Sequence, residues 1–599
     1  MPPPAPVRRA GPRGTARGNR GVAVTMIGTR AAPRALRPDE ASRLRRIRRY
    51  AVPRWMIERA TERRLAGDWR GACAAANVDV AFDLADVAGE HGREVADALE
   101  DDLRHLAPDL LRWHAPRVGR GRTTLVPDQV LVLSADPDDP RRTLHVTTPR
   151  QLVHGPQRLT LRFGVISADD WLYLNTDLPY LSVWHNVLHQ WDTARHLWDV
   201  RHADELRERC GGDGTRAPFL EPDGTPRPSG LLPSAAYGRD DPVAHAEWAV
   251  LLHEAGDVLG AFAAAGIAVD ETGVELEEYL GGGVVETAGV LARLPLAPAR
   301  LADEVRRLAE RGHGDAYWIP ANQHVGVVLR RAGGGLGVEL ASRDDLAGAM
   351  PVLPDAAWRM APDVEALRHG VVPAEELHPL VRDALAPARA FTGPGGPPGP
   401  DRPGPVRIRC RGEWHEVAFR DGALRMPHDE GERRREQALL ALGGAVGGCE
   451  AADRGWREGG RLPKALDAQR RELLARVQHG DTPAVLALLD AGVDPRVRDA
   501  RGRTLLHALP MLDWEPLLPR LLPVLDLEAR DGCGRTPLHV VVFEEGPPEL
   551  VRALVDAGAR IDVQDEDEIS LLRVIGWRRS DLGFLEKRIR DEHPEIDDW

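Results

Sequence analysis

The sequence predicts a multidomain protein, an α+β N-terminal body followed by a C-terminal α-solenoid of short repeats. Three observations predict it. The segment Asp499-Ala-Arg-Gly-Arg-Thr-Leu-Leu-His507 returns 32 residues later as Asp531-Gly-Cys-Gly-Arg-Thr-Pro-Leu-His539. Before residue 390 the apolar spacing switches between the helical and the alternating period. A Pro/Gly-rich stretch at 393–405 reads as a linker between the two regions.

Taken in order, residues 1–37 are rich in Pro, Gly and Arg and are expected to form a disordered basic tail. Residues 1–50 hold 13 arginines against Asp39 and Glu40, whereas the whole chain carries a net charge of -13. The tail is read as a leader rather than a nucleic-acid arm, with Met1 and Met26 both open as the start. The body spans 38–392. It is expected to be helical over 38–116, to carry strands within 125–165, to be mainly helical over 170–320, and to end in a hairpin over 325–341. Within it, one long helix is expected from Pro179 to Arg209. Residues 406–460 predict a small hairpin, with turns at Arg411-Gly412 and Asp421-Gly422, plus a helix.

The repeats occupy 465–599, with units near 466–498, 499–530, 531–564 and 565–590. Each Asp-x-x-Gly makes a tight turn whose Gly tolerates φ > 0. Thr504 and Thr536 stand at expected helix N-caps, and Pro537 suits the first helical position. Pro519 and Pro523 should shorten or kink the second helix of the middle unit. The signature D-x-x-G-R-T-x-L-H resembles that of the ankyrin repeat family. The resemblance implies stacked helix pairs, a protein-binding role, and histidines (His507 and His539) that tie neighbouring repeats together. Its implied contact positions are Arg501, Arg503, Cys533 and Arg535, with Glu544 and Glu545.

Composition limits the alternatives. Only Lys464 and Lys587 are lysines among 79 basic residues, an arginine bias expected of a high-GC bacterial genome. Five scattered cysteines without a C-x-x-C pair argue against a disulfide framework or a cysteine zinc site, and for a reduced cytosol. The most apolar stretch, Ala249 to Val269, is broken by His253, Glu254 and Asp257, so no membrane span is expected. No G-x-x-x-x-G-K-[ST] occurs, which excludes a P-loop, and no G-x-S-x-G occurs. Gly333-Gly-Gly-Leu-Gly337 lacks the last Gly of a dinucleotide fingerprint.

Two weak motifs bear on catalysis. Trp184, Trp191 and Trp198 fall seven apart and would form a helix stripe, read as core, interleaved with His185, His189 and His196. Asp192 offers a further ligand. His253-Glu-Ala-Gly-Asp257 echoes H-E-x-x-H with Asp in place of the second His, and Glu275, Glu277, Glu278 and Glu286 follow. Charged or hydrogen-bonded surface residues are the simpler reading of both. The expected function is therefore a cytoplasmic interaction protein, without metal or cofactor, whose repeat array binds a protein partner. The alternative is a metal-dependent hydrolase or toxin-like effector whose array recruits a target. It requires His185, His189, His253 and Glu254 to converge.

Overall fold

The computed structural model describes residues 36–118, 123–149, 155–166, 187–235, 240–276, 282–322, 324–346, 350–442 and 448–596. The expected disordered tail lies outside them except for its last two residues, and Trp184, His185, Glu277 and Glu278 lie outside them as well.

The body is built twice on one plan. Helices Arg54–Leu65 and Trp69–Ala75 meet at Gly67, whose φ of +77 needs a residue without Cβ. The Asp68 carboxylate caps the second helix, accepting from the Gly71 amide at 2.8 Å. Strand β1 (Val78–Val80) follows and pairs in parallel with β4 (Leu159–Val165). The antiparallel strands β2 (Gln129–Ala135) and β3 (Arg142–Thr147) and the parallel edge strand β5 (Val187–Gln190) complete the sheet, in the order β1-β4-β3-β2-β5.

The second copy repeats these steps. Helices Pro242–Glu254 and Val258–Ala264 meet at Gly256 (φ +89), and Asp257 accepts from the Gly260 amide at 3.0 Å. Strand β6 (Ile267–Val269) comes next, then the two-residue strands β7 (Val274–Glu275) and β8 (Val284–Val285). Strands β9 (Ala316–Pro320), β10 (Val325–Ala332) and β11 (Gly335–Ser342) join β6 in the order β6-β11-β10-β9, with β6 parallel to β11. Val352 bridges Trp318 in parallel, at the position β5 takes beside β2. The Ala107 amide donates to the Trp198 carbonyl at 2.8 Å, and the Ala297 amide donates to the Trp358 carbonyl at 2.9 Å. The pattern Ala66-Gly-Asp-x-x-Gly-Ala-x-Ala-Ala-Ala76 is matched by Ala255-Gly-Asp-x-x-Gly-Ala-x-Ala-Ala-Ala265.

This plan corrects the single helix expected over Pro179–Arg209. Its described part is β5, two 3-10 turns (Arg195–Leu197 and Val200–Glu205) and the short helix Leu206–Arg209. Ladder bonds to Gln129–Val132 hold Val187–Gln190 extended, so tertiary pairing overrides the local helical period. Trp191 and Trp198 are both core residues, but they share no helix face. The Trp198 indole instead donates to the Trp191 carbonyl at 3.0 Å. Buried pairs lock the body, with Arg48 2.7 Å from Asp363 and stacked over Trp113. Arg209, from the first copy, forms a two-pronged pair with Glu304 of the second.

Beyond residues 393–405, β12 (Val406–Cys410), β13 (Glu413–Arg420) and β14 (Ala423–Arg425) form an antiparallel meander. Both turns carry two successive residues with φ > 0, Arg411-Gly412 and Asp421-Gly422, which suits the twist of tight hairpins. Helices Glu430–Ala441 and Gly448–Glu458 follow. The repeat helices are Lys464–Gln478 with Thr482–Asp490, Leu518–Leu521, Pro537–Phe543 with Pro548–Asp556, and Leu571–Arg578 with Gly583–Glu592. The four-residue helix of the second unit carries Pro519, and Pro523 follows it, each lacking an amide donor. One apolar core runs from Val406 through Phe419 and Trp456 to Ile589, so the meander and the repeats share it. The body docks on the first unit. Trp55 donates to Asp481 at 2.8 Å, Tyr50 donates to Glu472 at 2.6 Å, and the Gly155 amide donates to the Gln478 carbonyl at 2.8 Å.

Candidate functional site

The turn tips of the array are built identically. Asp499 Oδ1 accepts from the amides of Arg501 and Arg503, Asp531 Oδ1 from those of Cys533 and Arg535, and Asp565 Oδ1 from those of Asp567 and Ile569. Each Arg then reaches the next unit. Arg503 Nε lies 3.3 Å from Asp531 Oδ2, and Arg535 Nε lies 3.0 Å from Asp565 Oδ2. Arg498 and Arg530 repeat the idea, donating to the carbonyls of Arg530 and Gln564. The Asp531 and Asp565 carboxyls are held below the usual range despite burial, because amides and guanidiniums hydrogen-bond the charged form.

The histidines are structural. His507 contacts Thr504 through Nδ1, and its Nε2 lies 3.1 Å from the Arg535 carbonyl of the next unit. His539 contacts Thr536, the N-cap of the helix Pro537–Phe543. Burial pushes both imidazoles down to about 4, so they are neutral near pH 7.

The six positions expected at the contact surface fall into two groups. Arg501, Cys533, Glu544 and Glu545 are exposed. Arg503 and Arg535 are half-buried and engaged. Arg503 bridges Asp531 and Glu544 (2.6 Å), and Arg535 stacks over Phe543 with its Cζ atom 4.1 Å from the ring centre.

The histidines and acids of the alternative reading do not form one site among the described residues. His189 lies on β5 with Nε2 3.1 Å from Gln129 Oε1, and burial pushes it down to about 4. It lines a cavity of about 190 Å³ in the body together with His114, His196 and Arg48. His196 is held well below the ordinary range by burial, and Arg209 adds to this. His253 Nε2 lies 2.9 Å from the Leu291 carbonyl, and Glu254 makes a two-pronged pair with Arg368 at 2.7 and 2.9 Å. These two residues line a smaller cavity that adjoins the first at Pro295 and Met360, and neither lines the larger one. Asp257 is a helix cap, and Asp192 lies 2.8 Å from His313. The second motif therefore resolves into ordinary structural bonds.

Two of the five cysteines, Cys410 and Cys449, meet in space although the sequence holds no C-x-x-C pair. Cys410, His415, His428 and Cys449 bring one donor atom each within 4.8 Å of all the others. Cys410 ends β12, and His415 stands on β13 opposite Ile408. His428 precedes the helix Glu430–Ala441, and Cys449 lies in the first turn of the helix Gly448–Glu458. The spacing C-x4-H-x12-H-x20-C matches no short metal motif. The usable signal was the hairpin, whose turn at Arg411-Gly412 sets Cys410 and His415 near each other.

Residues 473–565 match the family model for ankyrin repeats (3 copies), and the rest of the chain matches no family model. No curated protein matches the chain. Among the described residues, no helix is long and apolar enough to cross a membrane.

Proposed function

We propose that the chain is an interaction protein whose ankyrin array binds a protein partner, with the duplicated body as the platform on which the array is mounted. One observation carries this reading. The signature residues are consumed in holding the stack together: Asp499, Asp531 and Asp565 by turn amides, Arg503 and Arg535 by the next unit, and His507 by the Arg535 carbonyl. The turn tips beside them, at Arg501 and Cys533, and the helix ends at Glu544 and Glu545, are left exposed. Stacked repeats bind through such extended rows of tips rather than through one pocket. Arg503 and Arg535 contribute by holding the tips in register.

The test is capture of a partner by the full chain, compared with the variant Arg501→Glu, Glu545→Arg, which leaves the Arg503–Glu544 pair intact. The reading expects capture to fall at least tenfold in the variant while its melting temperature is kept. A charge reversal on the body, Glu90→Arg, should leave capture unchanged. If only the body variant loses the partner, the array is not the binding module.

A further inference from the structure

We propose that Cys410, His415, His428 and Cys449 bind one structural zinc ion, which clips the meander to the helix Gly448–Glu458 at the head of the repeat array. This inference is independent of the binding function proposed above.

The donor atoms are spaced as a single ion requires. A tetrahedral zinc with its usual bonds to sulfur and nitrogen sets S···N edges of about 3.6 Å and an N···N edge of about 3.3 Å. The structure has Cys449 Sγ to His415 Nδ1 at 3.5 Å, Cys410 Sγ to His428 Nε2 at 3.7 Å, and His415 Nδ1 to His428 Nε2 at 3.0 Å. Two thiols and two imidazoles form a ligand set that selects zinc over the hard cations, which take oxygen ligands. A two-iron cluster with split Cys and His ligation would spread its donors around two metals, whereas here all four meet within 4.8 Å. Four protein ligands leave no open position, so the site is structural rather than catalytic.

The surroundings are arranged for the same end. Each histidine turns one nitrogen inward and the other towards a carboxylate. His428 Nδ1 lies 3.8 Å from Glu432, and His415 Nε2 lies 4.0 Å from Glu413. Both distances are ion-pair contacts longer than a hydrogen bond, so the carboxylates lie near the outer nitrogens without fixing their tautomer. Cys449 lies in the first turn of its helix, which sets its side chain against the end of β12. Gly448 allows the close approach, since a Cβ there would overlap the Arg409 carbonyl on the neighbouring strand. The ion would add a fixed link between elements from 410 to 449 that already share an apolar core, in which Phe419 packs on Trp456 with ring centres 4.5 Å apart.

The test uses the full chain, purified without chelator or a metal-affinity column. Elemental analysis should find about one zinc per chain. After chelation and addition of Co²⁺, the visible spectrum should show tetrahedral ligand-field bands with sulfur charge transfer. Cys449→Ser should lose both signals, and Cys533→Ser should keep both. Should Cys449→Ser fail to fold, native mass spectrometry of the wild-type chain before and after chelation gives the same reading, as the loss of one zinc mass. The proposal is overturned by a folded chain that holds no zinc and takes up no cobalt, by stoichiometric iron or copper instead, or by a Cys410–Cys449 disulfide in the isolated protein.

Discussion

Arg503 of one repeat reaches Asp531 of the next, Nε to Oδ2 at 3.3 Å, while that same aspartate accepts two amides of its own turn. The Arg535–Asp565 pair repeats the contact one unit later. The side chains of Asp531 and Asp565 are each only 2% exposed, so these pairs belong to the interior of the stack rather than to its salt-screened surface. Asp531→Ala should therefore destabilise the array by about 1–3 kcal/mol, since it strips a carboxylate from two part-buried amides and from Arg503. Arg501→Ala, at an exposed tip, should stay within about 0.5 kcal/mol. Urea unfolding followed by circular dichroism reads both.

Acid should loosen the array. His507 and His539 sit near 4 in the folded chain and near 6.5 when unfolded, so the unfolded state binds more protons between those values. Their contribution is complete above pH 6.5 and is lost as pH falls towards 4, each at up to about 1.4 kcal/mol per pH unit. Asp531 and Asp565, depressed below 3.8, add a loss at still lower pH as they are protonated through their folded values. Melting temperature measured from pH 7 to 4 should fall steadily, and His507→Gln should flatten the slope in that window. An unchanged slope in the variant would refute the assignment.

Asp481 joins the body to the array. It caps the helix Thr482–Asp490, accepts from Trp55, and pairs with Arg476, whose side chain is 1% exposed. Glu472 remains beside Arg476 when Asp481 is removed. Asp481→Ala should cost about 2–4 kcal/mol, more than a lost cap and less than a fully stranded buried charge. Trp55→Phe removes the indole donor together with part of the ring that packs on the body core, and should cost about 1–3 kcal/mol. Differential scanning calorimetry would separate the two.

Gly448 and Gly583 make a matched pair for testing the close approach at the Cys/His cluster. A methyl at Gly448 meets the Arg409 carbonyl, whereas one at Gly583 meets nothing within 4 Å. Gly448→Ala should cost about 1–3 kcal/mol through the forced backbone shift. Gly583→Ala should be neutral or slightly stabilising. Equal melting temperatures for the two variants would contradict the geometry.

The array was legible in sequence because its signature letters are local: the Asp accepts from amides two and four residues on, and the Thr cap sits three residues before its His. In the body the strands within 125–165 and the hairpin over 325–341 were legible too, but its duplicated plan was not, for the opposite reason. Strands β1 and β6 are three residues each and exist only because β4 and β11 lie beside them. The Trp period of seven pointed to a helix, but the described chain runs along β2 and then folds Trp198 against Ala107, far away in sequence. The copies Ala66–Ala76 and Ala255–Ala265 are readable side by side, yet 189 residues separate them, and their meaning rests on the shared strand order. The Cys/His cluster draws on four segments and needed the meander's turns before its spacing carried information.

Hydrogen–deuterium exchange of the full chain with and without its captured partner tests the central claim most directly. The account predicts slowed exchange on binding at the turn tips around 499–503 and 531–535 and at the helix end near 544–546, with the body unchanged. Protection confined to residues 38–392, with the tips exchanging as in the free chain, would contradict it.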